Sequence, residues 1–180
     1  MNSDNRWYVI TGGPSSGKTT LLAELEKLGH NTIPEAARTV IDNGILEGLT
    51  VEQIRKDEKK FQEEVTKMKI KIESLHPKDA LTFFDRGMHD TLAYMSHYDF
   101  EIADWVESAF KTAKYKKVFL LDQLPVFEKD YARTESQDFP EKIYSLLHEA
   151  YKKFGFYIVK VPVLPVKQRA QFILENIEED

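Results

Sequence analysis

Five short apolar runs divide the chain, and the text between them changes period. Trp7-Tyr8-Val9-Ile10-Thr11, Asn31-Thr32-Ile33, Ala80-Leu81-Thr82-Phe83-Phe84, Lys117-Val118-Phe119-Leu120-Leu121 and Phe156-Tyr157-Ile158-Val159-Lys160-Val161 are β-branched or aromatic and predict strands. The intervening segments repeat their apolar residues every three to four positions and predict helices. Leu21, Leu22, Leu25 and Leu28 fall on one face of a helix from Thr19 to Leu28, which Gly29 ends. A second helix is expected from Glu35 to Leu46. Thr50 and Gln53 then form a capping-box pattern. Ile54, Glu58, Phe61, Val65, Met68, Ile72 and Leu75 follow with near-heptad spacing and predict one long amphipathic helix to His76-Pro77. Such a helix either packs along the domain edge or forms a self-association seam in a homodimer. Further helices are expected over Gly87–His97, Ile102–Ala113, Pro140–Phe154 (with Pro140 as its first residue) and Pro165–Glu179.

Strands alternating with helices mean βαβ units, hence a mostly parallel five-stranded sheet with helices on both faces, a three-layer α/β architecture. Ligands of such sheets bind at the carboxyl ends of the strands. The polar residues that follow the strands are therefore the candidate chemistry: Gly12 to Thr19, Glu35, Asp85 with Arg86, Asp122, and Pro162 onward.

The first of these carries the strongest signal. Gly12, four residues, then Gly17-Lys18-Thr19 is the phosphate-loop pattern G-x-x-x-x-G-K-[ST], set between a strand and a helix as that motif requires. Backbone N–H groups of such a loop form a concave anion site, and the following helix adds the positive end of its dipole. Gly12, Gly13, Pro14, Ser15, Ser16, Gly17, Lys18, Thr19 and Thr20 are thus the expected nucleotide-binding residues, with Lys18 reaching the β- and γ-phosphates and Thr19 a ligand for Mg²⁺. Asp85 ends an apolar strand and is either a second magnesium-binding carboxylate or a helix N-cap. Arg86 is either an anion clamp or half of a structural ion pair. Glu35 is either the base that accepts a proton from an acceptor hydroxyl or an acid favoured by a helix N-terminus, with Arg38 three residues on. Lys129 and Arg133 lie in segment 125–139, which reads either as a charged lid over the triphosphate, with Arg133 stabilising the transferring phosphoryl group, or as a solvated loop. His89 faces the site or sits in an ordinary half-buried position.

Composition trims the alternatives. At 180 residues the chain is expected to be one domain, with an acceptor-side helical insertion over about 35–76. It has no cysteine, which excludes disulfides and thiol chemistry. The net charge of −5 argues against nucleic acid as the main partner. The polar N-terminus has no signal-peptide pattern and no apolar run approaches a membrane span, so a cytoplasmic protein is expected.

Six blocks together carry a resemblance: Ile10 to Thr20, Pro34-Glu35-Ala36-Ala37-Arg38, Phe84 to Asp90, Phe119 to Asp122, Tyr131 to Glu135, and Val161-Pro162-Val163. They are similar to the AAA-type ATPase/kinase-like P-loop domain family, which includes ribosylnicotinamide kinase domains of bacterial NAD-salvage proteins. The resemblance implies a nucleoside/nucleotide-kinase-like fold, Mg²⁺ and a nucleoside triphosphate. It assigns phosphate binding to Gly12, Gly17, Lys18 and Thr19, and adds weight to Glu35, Asp85, Arg86 and Arg133. The expected activity is transfer of the γ-phosphate of ATP, or GTP, to a small nucleoside-like acceptor. The sequence lacks the Asn/Thr-Lys-x-Asp guanine-reading pattern, which favours ATP. A nucleotide-dependent regulator is the rival class.

Overall fold

The computed structural model describes residues 5–125 and 138–178. Five parallel strands form one sheet in the order β2-β3-β1-β4-β5. They are β1 (Trp7–Gly12), β2 (Asn31–Ile33), β3 (Thr82–Asp85), β4 (Lys117–Leu121) and β5 (Ile158–Val161). The central β1 is buried along its whole length and pairs Ile10 with Asp85 on one side and Gly12 with Leu121 on the other. The sheet is parallel throughout.

Side chains alternate across a strand, so β1 feeds two cores. Trp7 and Val9 join Phe84, Val118 and Leu120 on one face. That face is covered by α5 (Met88–His97), α6 (Asp104–Thr112) and α7 (Phe139–Lys153). Tyr8 and Ile10 join Phe83, Phe119 and Leu121 on the other face, under α1 (Lys18–Lys27) and α8 (Val166–Glu178). The strands therefore read as continuous apolar runs because both of their faces are covered.

Between β2 and β3 run α2 (Ala36–Leu46), α3 (Val51–Ile54) and α4 (Glu58–Leu75). The single long helix expected from Ile54 is in fact two. The Asp57 carboxylate accepts from the Lys60 N–H at 3.0 Å and caps a new helix, and this local bond wins over continuation through Arg55 and Lys56. The expected Thr50–Gln53 capping box is present on α3. Phe61 and Val65 bury against Ala36, with Met68 and Ile72 packed beside them, so most of the near-heptad stripe packs within the chain, while Leu75 at its end is exposed. Boundaries shift elsewhere by one or two residues. Thr82, not Ala80, opens β3, Ile158 opens β5, and Pro140 is the second residue of α7.

His89 is fully buried, away from solvent and site, among the rings of Phe154, Phe156, Tyr151, Phe110 and Tyr115 at centroid distances of 4.5 to 6.4 Å. Neither ring nitrogen makes a hydrogen bond. Burial pushes its pKa down to about 4, against an opposing pull from the Phe110 backbone. The folded protein thus holds His89 neutral, whereas the unfolded chain protonates it below its ordinary value near 6.5. The unfolded state binds more protons in that window, so this group's stabilising effect is intact above pH 6.5 and is lost as pH falls toward 4. Relative to His89→Phe, the parent should lose about 3 kcal/mol between pH 6.5 and 4. Denaturant unfolding of both proteins across that range checks this, and parallel curves would overturn it.

Candidate active site

The loop after β1 is shaped by residues in the left-handed region. Gly17 has φ 83° and caps α1, Ser15 has φ 59°, and Gly12 has φ 155°. A Cβ on Gly12 would lie 2.7 Å from Ser16 Oγ and 2.9 Å from the Leu121 carbonyl, so glycine is required there on space alone. Lys18, the first residue of α1, is buried and folds back over the loop. Its Nζ donates to the Gly12 and Gly13 carbonyls, each at 3.0 Å, and to Ser16 Oγ at 3.3 Å. Burial and the Arg86 charge lower its pKa to about 7. Thr19 and Thr20 are exposed in the first turn of α1.

Three acids and one arginine gather beside this loop. Asp85 ends β3, next to β1, and Glu35 precedes α2 after β2, one strand further out. Arg86 follows Asp85 in a left-handed conformation, φ 66°, pinned by its N–H to the Ile10 carbonyl at 3.0 Å. That turn aims the guanidinium inward. Its Nε donates to Glu35 Oε1 at 2.7 Å, and its Nη1 to Asp90 Oδ1 at 3.0 Å and the Gly12 carbonyl at 3.3 Å. Its Cζ lies 5.3 Å from the centre of the Tyr94 ring.

The four groups differ in how they are satisfied. Burial raises the Glu35 pKa, but Arg86 and then Lys18 outweigh it and hold the carboxylate below its ordinary value. Asp90 behaves likewise, held down by Arg86 and Lys69 despite burial. It accepts from Thr11 Oγ1 at 2.6 Å, the Gly87 N–H at 3.0 Å and the Tyr151 hydroxyl at 2.5 Å. Asp85 is the exception. Burial and the Glu35 charge push its pKa up to about 6, and its Oδ1 is buried with no hydrogen-bond partner. An orphaned buried carboxylate oxygen beside a phosphate-type loop fits a hydrated Mg²⁺, a hard cation that seeks oxygen ligands.

The back of the loop is held by residues that sequence reasoning missed. Arg169 of α8 donates to the Ser16 carbonyl at 2.6 Å, the Asp122 carbonyl at 3.1 Å and the Pro162 carbonyl at 3.1 Å. Gln123 Nε2 donates to the Pro14 carbonyl at 2.8 Å, and Tyr144 OH to Asp122 Oδ1 at 2.8 Å. Lys69 is buried and donates to the Gly87 carbonyl at 2.5 Å and to Thr91 Oγ1 at 3.0 Å. Neither Lys69 nor Arg169 stands out in the sequence, since one lies in a highly charged helix and the other in the last predicted helix, with no motif around either. Of the expected site residues, the structure brings together Gly12 to Lys18, Glu35, Asp85 and Arg86. Arg38 is exposed in the first turn of α2. Arg133 and Lys129 lie outside the described residues.

The AAA domain family matches residues 7–169. No curated protein sequence matches the chain. Among solved structures, thymidylate kinase from Candida albicans is 20% identical with a TM-score of 0.72, over 99% of this chain and 93% of that one. The NadR protein in complex with NR is 14% identical with a TM-score of 0.74, over 98% of this chain and 50% of that one, so the chain spans half its length. Shikimate kinase from Acinetobacter baumannii, in complex with shikimate, is 20% identical with a TM-score of 0.63, over 98% of this chain and 95% of that one. At these identities the likeness establishes a P-loop kinase fold.

Asp90 is the anchor of this arrangement and its removal has a defined cost. Asp90→Asn leaves the buried Arg86 with one charge partner fewer and forces an amide N–H₂ among donors. It should destabilise the protein by about 3 kcal/mol or more. Tyr151→Phe, which removes one neutral donor, should cost about 1–2 kcal/mol. Urea unfolding of the two variants measures both, and equal effects would refute the ranking.

Proposed function

We propose that this chain, which belongs to the AAA domain family, is a small-molecule kinase that moves the γ-phosphoryl group of ATP to a hydroxyl of a nucleoside-like acceptor. One observation carries the reading. Lys18, Asp85 and Glu35 lie at the carboxyl ends of three adjacent strands or in the segments that follow them, so phosphate cradle, metal-type carboxylate and an outer carboxylate stand in a row. A nucleotide switch needs the first two. A transferase uses the third to orient its acceptor hydroxyl.

Lys18 is placed to exchange the Gly12 and Gly13 carbonyls for phosphate oxygens, which also restores a full charge to a lysine poised near pH 7. Mg²⁺ held by the Thr19 hydroxyl and the Asp85 carboxylate would shield the negative charge of the triphosphate. Glu35, kept ionised by Arg86, accepts a hydrogen bond from the acceptor hydroxyl. As the acceptor oxygen bonds to the γ-phosphorus and the bond to the leaving ADP oxygen breaks, the acceptor proton passes to Glu35. Its low basicity is tolerable, because phosphoryl transfer passes through a loose transition state that asks mainly for position. The segment α2–α4 forms the acceptor side. Thymidylate, deoxyadenosine and NadR proteins among the similar structures support a nucleoside-like acceptor, while shikimate kinase shows that the fold also takes other small alcohols.

A screen of nucleosides, nucleotides and small polyols for stimulation of ATP consumption tests the reading. One compound should raise turnover well above the basal rate and emerge phosphorylated. Without any such acceptor, the chain is a nucleotide-dependent regulator instead. Lys18→Ala should abolish turnover with the fold intact, and turnover at the parental rate would remove the loop from the mechanism. Glu35→Gln should leave ATP affinity, measured by titration, within a few-fold. Acceptor-stimulated transfer should fall by about 10²-fold. Undiminished transfer would remove Glu35 from the chemistry.

A further inference from the structure

Two faces of α4 are buried, and the second is polar. Phe61, Val65, Met68 and Ile72 pack with Ala36 of α2. Gln62, Thr66 and Lys69 are also buried, at the spacing of another helical face. Lys69 is only 5% exposed, and both of its hydrogen-bond acceptors lie at the start of α5. Its Nζ donates to the Gly87 carbonyl at 2.5 Å and to Thr91 Oγ1 at 3.0 Å.

The position is a costly one for a lysine. Burial, and then the Arg86 charge, lower its pKa to about 8. Gly87 is the N-cap of α5, so the positive end of that helix dipole is close by. Asp90, Glu35 and Glu73 supply the compensating charge. A methionine would fill the same space without these costs, since replacing buried charge by packed hydrocarbon is often neutral or favourable. Packing between α4 and α5 therefore does not account for the ammonium group.

Its place beside the active site does. Gly87 follows Arg86, whose backbone is left-handed with φ 66°. The Gly87 N–H donates to Asp90 Oδ2 at 3.0 Å and to Tyr151 OH at 3.1 Å, and its carbonyl accepts from Lys69. Both polar groups of the residue after the turn are thus gripped. Releasing the carbonyl lets the strained turn relax and swings the guanidinium away from Glu35. The contacts also form a closed ring. Arg86 holds Glu35 at 2.7 Å, and Glu35 precedes α2. The next residue, Ala36, packs on Phe61 and Val65 of α4. Lys69, one turn beyond Val65, returns to Gly87 beside Arg86.

We propose that Lys69 is a positioning residue for phosphoryl transfer, closing this ring and so fixing the Arg86–Glu35 pair against the acceptor-side helices. It acts through those two residues and not on the reacting atoms. The inference rests on the kinase reading.

The first probe is the Arg86 Nε–H, followed by heteronuclear NMR of the full chain and assigned by its loss in Arg86→Lys. In Lys69→Met its exchange with solvent should quicken by about tenfold or more, as a local opening would make it. Thr91→Val, which removes the other partner of Lys69, should act in the same direction more mildly, and it serves if Lys69→Met does not fold. The second probe is turnover with the acceptor that the screen identifies. In Lys69→Met kcat for transfer should fall by about tenfold or more, while the KM for ATP and basal ATP hydrolysis stay within about twofold. Val106→Ala, a core truncation on α6, should lower stability and leave the Arg86 signal and kcat unchanged. Unaltered Arg86 exchange, an unaltered kcat, or an equal loss in Val106→Ala would each overturn the proposal and leave the kinase reading in place. Failure of every acceptor with the parent protein would overturn the kinase reading and the proposal with it.

Discussion

The Arg86 guanidinium is the constraint on which the rest of the site depends. It is buried, and a buried cation survives only where its charge and its donors are met. Glu35, Asp90 and the Gly12 carbonyl meet them, and these come from the segment after β2, from α5 and from the end of β1. One side chain thereby fixes the spacing of three elements that share no sequence proximity. The left-handed backbone at Arg86 is the local cost of aiming it there, offset by the bonds it makes. The Asp90 carboxylate extends the same network to Thr11 and Tyr151, so β1 and α7 are tied in as well.

Such a network gives precision more than stability. Replacing a buried ion cluster by packed hydrocarbon is often neutral or favourable, whereas removing one partner is costly. What the cluster supplies here is a fixed orientation for Glu35 and a fixed distance between that carboxylate and the loop around Lys18. Phosphoryl transfer gains most from positioning and electrostatic preorganisation, so a site built this way is suited to that chemistry. Asp85 stands apart in the same cluster. Its Oδ1 is, among the described residues, the one buried carboxylate oxygen left without a hydrogen-bond partner.

The loop itself is closed on its own groups. Lys18 occupies the carbonyls of Gly12 and Gly13, and Arg169 grips the outer side through Ser16. A Cβ on Gly17 would lie 3.0 Å from Arg169 Nη1, so that side chain would have to give way by a few tenths of an ångström to admit it. The motif's second glycine is needed first for its φ of 83° and also eases the close approach of a helix from the far end of the chain.

The alternation of apolar runs and helical periods was enough to determine five parallel strands, two covered faces and the position of the phosphate loop. These are local signals: a strand buried on both faces must be apolar throughout, and a tight anion loop must have glycine where φ is positive. Asp85, Arg86 and Glu35 were legible as candidates because strand ends in such a sheet face ligands. Their roles were not, since a carboxylate after a strand looks the same whether it caps a helix, pairs with arginine or stands unpartnered. The break at Asp57 was also hidden, because a heptad-like stripe continues through it while the capping bond that interrupts it is a matter of one side-chain rotamer. Only the tertiary structure decided that Asp90 anchors Arg86, that Arg169 braces the loop from 153 residues away and that His89 is core. The Arg169 and His89 contacts join residues distant in sequence, and long-range pairing leaves no period in the chain from which it could be read; Arg86 and Asp90 are only four residues apart, but their pairing depends on the left-handed backbone at Arg86.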